Sequence, residues 1–292
     1  MKLTKALPAA AGALCIPGVA LRAMHVRYGF DMQTSLPITG SMWMWCLIAL
    51  LVAGTALYAV LAAPLRGRRT LPFEQLLGTQ RTSFRLAAAL AGLLLIAGGL
   101  FYLYLTLTVA EQDAASWARA LELVYCAVTV ICGACVIVLA KAQGGEIDSK
   151  SAALTLVPLL WSCLHLLVNY RMTSVDPKLP SFAFGLAADI MIVFACYHLA
   201  RLLYGRPRPD ALAFFSAAAI TIAVSDFGGV ALGYLMGADA FDWTSKMLLR
   251  SGLSVAACVL LAAELAVICS RSADMPAQPA ATPDGQPMQQ SE

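Results

Sequence analysis

Five residues in the second half of the chain pose the chemical question. His165 and Asn169 are four apart, with Trp161 one helical turn before them, and Asp189 and Asp226 are lone acids set in otherwise apolar runs. Positions four apart are neighbours on a helix, so Trp161, His165 and Asn169 share one face. An imidazole and two carboxylates in one low-dielectric volume can share a proton, hold a cation or take the amine of a small solute. In that reading Asp189 and Asp226 hold the proton or cation, His165 relays or donates, and Asn169 and Trp161 shape the pocket. The plainer reading has each of them hydrogen-bonded separately to a neighbouring helix. The two stand level, because ionisable residues inside a membrane mark pathways by default.

Other polar residues sit in apolar runs as pairs. Counted from the midpoint of each run, Asp226, Asp189 and His165 lie about 4–6 Å outward of the midplane, Glu122 and Arg250 about 11–12 Å outward, and His198 and Glu264 about 8–9 Å inward. Glu122 with Arg250 reads as a structural ion pair, although both side chains can snorkel to water unpaired. His198 with Glu264 reads as an inner relay. A histidine near a helix end beside Tyr197 and Arg201 is more often simply interfacial.

Cys132 and Cys135 form the only C-x-x-C. That spacing serves thiol–disulfide enzymes when a thiolate is stabilised, but here it falls mid-run with no base nearby, so a packing role is expected. No metal-ligand spacing stands out, and no P-loop, dinucleotide fingerprint, H-E-x-x-H or G-x-S-x-G is present. No metal, no cofactor and no catalytic residue is therefore expected, and the balance leans away from an enzyme. No basic stretch resembles a nucleic-acid surface.

The elements that must position these groups are apolar helices. The chain has 292 residues, 60% of them hydrophobic and 13% charged, with a mean hydropathy of +0.75. Soluble domains are nearer half apolar and a quarter charged. Runs of about 20 apolar residues recur, the length that crosses roughly 30 Å of hydrocarbon. The expected fold is an all-α polytopic membrane bundle of about eight spans, at 6–24, 41–65, 86–108, 118–141, 152–170, 182–203, 211–237 and 247–269. The first of these, after Lys2 and Lys5, competes with a signal-like segment. Residues 270–292, rich in Pro, Gln and Ala, read as a disordered tail.

Two features within the spans stand out. Pro158 inside the fifth predicts a kink. The seventh carries small residues every fourth position, at Thr221, Ser225, Gly229, Gly233 and Gly237, so it reads as a central helix that neighbours approach closely. A carboxylate in such a helix costs roughly 2.5–3.5 kcal/mol to insert.

Lysine and arginine placement sets the expected orientation. With a cytoplasmic N-terminus, thirteen of the 20 Lys and Arg fall inside and seven outside, counting Arg22 at the outer end of the first span. Both termini are then cytoplasmic, in a plasma (inner) membrane of bacterial type, and Trp43, Trp45, Trp117 and Trp243 gather at the outer boundary. The basic loops PLRGRR and LYGRPR occupy matching places in the two halves, a likeness the orientation rule produces by itself.

The leading expectation is a transporter of a small solute, proton or cation, or the membrane subunit of one, with its polar pocket in the outer half. The alternative is a non-enzymatic sensor or assembly protein that pairs with a second copy or a partner subunit through Gly229, Gly233 and Gly237. The lipid bilayer is the partner common to both.

Overall fold

The computed structural model describes residues 2–31, 34, 36–69, 71, 73–108, 116–143, 153–174, 179–238 and 244–274. Among them every regular element is helical, and the strand-like contact present is an isolated antiparallel bridge between Phe30 and Pro37. Eight long helices run through the chain: α1 (Lys2–Tyr28), α2 (Met42–Ala62), α3 (Thr82–Thr108), α4 (Ser116–Ala142), α5 (Leu156–Thr173), α6 (Leu179–Leu203), α7 (Pro209–Leu235) and α8 (Ser245–Asp274). Short helical turns, Ala63–Arg68 and Phe73–Leu76, lie between α2 and α3.

Seven of the eight helices are long and apolar enough to cross a bilayer. The other, α5, is 18 residues long and carries His165, Asn169 and Arg171. It packs against α4 and α6 within the same bundle. The chain is an all-α, multi-pass integral membrane protein.

Small residues open the helix contacts, although large side chains such as Phe84, Leu95 and Tyr102 are buried beside them. On α3, Ala88, Ala91, Gly92 and Gly99 face inward, while Leu86, Leu90, Leu93, Leu100 and Phe101 are exposed to lipid. Helices in lipid gain nothing by hiding leucine, so they associate where small residues permit close approach and polar groups find partners. Gly92 and Gly133 show this at the α3–α4 crossing. A Cβ added at Gly92 would lie 2.6 Å from the Gly133 carbonyl oxygen.

Two helices form the centre. α7 touches α1, α2, α6 and α8, while α8 touches α1, α3, α6 and α7. The small stripe of α7 faces α1: Gly228 meets Val19, Gly229 meets Arg22, Gly233 meets Val26, and Ser225 packs on Gly18. Tyr58 of α2 shares a 2.6 Å hydrogen bond with Thr221.

Several boundaries differ from the expected ones. α1 continues four residues past position 24, so Arg27, expected in the first outer loop, belongs to the helix. Gly237, expected at the end of the seventh span, lies beyond α7 in a turn with φ +78°, a conformation that suits glycine. Pro158 produces no mid-helix kink. Ala153 and Leu154 form a helical turn that breaks at Thr155, and α5 restarts at Leu156. Pro158 then occupies the first turn, where a missing N–H breaks no internal bond. α8 runs to Asp274 through the first residues of the expected tail; residues 275–292, like Trp243, lie outside the described residues.

The basic loops after α2 and α6 meet at one end of the bundle. Arg69 donates from Nη2 to Asp210 at 2.6 Å, and Arg66 approaches the same carboxylate at 3.8 Å. Arg81 donates to Ser270 there as well, which puts the end of α8 at the same level.

Candidate functional site

His165 is the hub of a buried polar network. Its ring lies between Trp161, stacked at 4.9 Å between centroids, and Tyr125, at 5.7 Å. Tyr125 Oη is 2.7 Å from Nδ1, Ser254 Oγ is 2.8 Å from Nε2, and Asp189 Oδ1 is 3.3 Å from Nε2. Asp189 also accepts from Ser254 Oγ at 2.8 Å and from Asn169 Nδ2 at 2.6 Å. With the Tyr125 phenol donating to Nδ1, the ring N–H sits on Nε2 and points to Ser254 and Asp189, and Asn169 Nδ2, 3.1 Å from Nε2, donates to Asp189 instead. Trp161 donates its indole N–H to Thr129 at 3.0 Å, and Thr129 in turn donates to the Tyr125 carbonyl. The network thus ties α4, α5, α6 and α8 together.

Asp226 is held differently. Arg22 reaches it from α1, with Nε and Nη2 each 2.9 Å from Oδ1. The other guanidinium nitrogen, Nη1, is 2.8 Å from His25 Nδ1, and the Phe184 ring lies 4.8 Å below the guanidinium carbon. Arg22 is wholly buried and Asp226 nearly so. The arginine stem needs room beside α7, and Gly229 supplies it: a Cβ there would overlap Arg22 Cβ and Cγ.

The two acids meet at a small cavity. It has a volume of about 40 Å³ and is lined by Asn169, Thr173, Phe182, Gly185, Asp189, Asp226 and Arg250, among others. Gly185 keeps α6 thin at this point, since a Cβ there would sit 3.1 Å from Asp226 Oδ2. His165 and Trp161 do not line this cavity; they stand behind Asp189 and Asn169 and hold them in place.

Glu122 and Arg250 form no direct ion pair. Glu122 pairs with Lys246 at 3.1 Å and accepts from Tyr102 Oη at 2.9 Å, while Arg250 Nη1 donates to that same Tyr102 oxygen at 2.9 Å. A tyrosine therefore bridges the two, because a phenol hydroxyl both accepts and donates. His198 and Glu264 are not brought together either. His198 stacks on Phe215 at 5.5 Å, whereas Glu264 accepts from Gln143 Nε2 at 2.6 Å. All nine cysteines are free thiols, and Cys132 is buried beside the Gly92–Gly133 crossing. Gly229 and Gly233, the stripe assigned to intermolecular pairing, are covered by α1 within the chain.

The residues that sequence reasoning missed are Arg22, Tyr102, Tyr125, Lys246 and Ser254. Arg22 had a readable signal. Gly18, Arg22 and Val26 repeat every fourth position, the same interval as Ser225, Gly229 and Gly233, so the two helices offer matching stripes. The tyrosines had none, since an aromatic in a membrane run reads the same whether its hydroxyl is partnered or not. No protein-family model matches the chain, no curated protein matches it, and no solved structure matches it; its place is that of an all-α polytopic membrane protein.

Proposed function

We propose that this protein moves a small solute or ion across the membrane, or is the membrane subunit of an assembly that does, through the cavity between α5, α6, α7 and α8. The observation that supports this reading is the composition of the cavity wall. Asp189, Asp226 and Arg250 converge on one space inside a lipid-embedded bundle, where isolated helix contacts need no such grouping. Asp189 is the group that exchanges its ligand, held by Asn169, Ser254 and His165. Asp226, neutralised by Arg22, fixes the far wall. The basic end of the bundle faces the cytoplasm by the positive-inside rule, which puts the cavity in the outer half of a plasma membrane.

The test uses the full chain in proteoliposomes, with a trapped pH-sensitive dye reporting proton movement under imposed sodium or potassium gradients. Asp189→Asn is expected to abolish the protein-dependent flux while leaving reconstitution and helicity unchanged. A variant that inserts normally and matches the parent across pH would remove Asp189 from the pathway.

A further inference from the structure

We infer that the cavity is built for a small zwitterion, with its carboxylate on Arg250 and its ammonium on Asp189. This rests on the binding-chamber reading above and names the ligand class.

Charge accounting carries it. Four of the ionised groups around the cavity are matched in place: Asp226 with Arg22, and Glu122 with Lys246. Two are not. Arg250, 4% exposed, donates from Nη1 to a neutral phenol, and its Nε has no hydrogen-bond partner. Asp189, 2% exposed, is surrounded by a hydroxyl, an amide and an imidazole, with no lysine or arginine paired to it among the described residues.

A buried cation and a buried anion thus line the same cavity without a fully charged partner. Leaving them so is costly, because each is buried with no opposite full charge in contact with it. An added anion would satisfy Arg250 and leave Asp189 alone, and an added cation would do the reverse. One molecule bearing both charges satisfies both.

The guanidinium geometry agrees. With Nη1 held by Tyr102 and Nε buried without a hydrogen-bond partner, the guanidinium keeps unused donor capacity of the kind a carboxylate takes up in pairs. Size narrows the class further. About 40 Å³ is room for roughly three water-sized groups. That admits amino acids no larger than glycine, alanine or β-alanine, their carbons against Phe182, Leu186 and Met247.

The experiment measures equilibrium binding of labelled glycine, alanine and β-alanine to the full chain in lipid nanodiscs, with acetate and methylammonium as the two halves. At least one zwitterion is expected to bind saturably, with each half about 10–100-fold weaker, since each lacks one charged contact. Arg250→Gln and Asp189→Asn are each expected to abolish zwitterion binding. Gly185→Ala, which narrows the cavity and keeps every charge, is expected to weaken it and guards against an unfolded Arg250 variant.

Three results overturn the inference: no zwitterion binds, a half binds as well as the whole, or Gly185→Ala keeps full affinity. If these occur while the Asp189-dependent cation flux persists, the chamber reading stands and the ligand is a simple ion. If the flux is absent too, both fall.

Discussion

Arg22 and Asp226 meet at 2.9 Å across the contact between α1 and α7, although 204 positions separate them in the chain. The pair closes the first helix onto the seventh and lets α7 carry a carboxylate through the bundle interior. Removing one partner leaves the other charged and dry. Arg22→Leu or Asp226→Leu alone is therefore expected to destabilise the protein by about 3–5 kcal/mol. The double variant should lose less than either single one, because no orphan charge remains. Chemical unfolding in detergent micelles reads the cycle, and additive losses would show that the two groups do not act as a pair.

The close approach of α1 depends on what α7 lacks. Gly229→Ala would place a Cβ against the Arg22 stem, and Gly233→Ala would place one 3.1 Å from Val26. A loss of about 1–3 kcal/mol is expected at Gly229, with a smaller loss at Gly233. At Gly12 an added Cβ meets nothing within 4 Å. Gly12→Ala should be neutral or stabilising, since it removes backbone freedom from the unfolded chain. Thermal melts of the three purified variants rank them directly.

Tyr102 joins Glu122 to Arg250, so Tyr102→Phe breaks two hydrogen bonds and changes no charge. Glu122 keeps Lys246, whereas Arg250 loses its neutral acceptor. The expected cost is about 1–3 kcal/mol. Lys246→Met should cost at least as much, because it leaves Glu122 buried with only a phenol. Equal melting of parent and Tyr102→Phe would show that the tyrosine bridge is not formed.

The C-x-x-C pair is expected to be inert. Cys135→Ala should shift stability by no more than about 0.5 kcal/mol, and thiol counting under mild oxidant should still find nine free cysteines, as in the structure. A Cys132–Cys135 disulfide recovered from membranes would instead point to redox chemistry on α4.

Composition and run length alone determined that this is a helical membrane protein, because only internally hydrogen-bonded helices of that length satisfy the backbone in hydrocarbon. They also singled out His165, Asn169, Asp189 and Asp226, since a polar residue in such a run is conspicuous whatever it touches. Partnership was another matter. Apolar runs carry little face information when lipid and protein are equally oily, so beyond the matching stripes around Arg22 and Asp226 nothing in the chain said that Glu122 belongs to Lys246 or that Glu264 belongs to Gln143. Those choices follow from which helices cross and how closely, and that is set by side-chain volume at contacts far apart in sequence. The tertiary structure alone decided that two acids and an arginine share one small space.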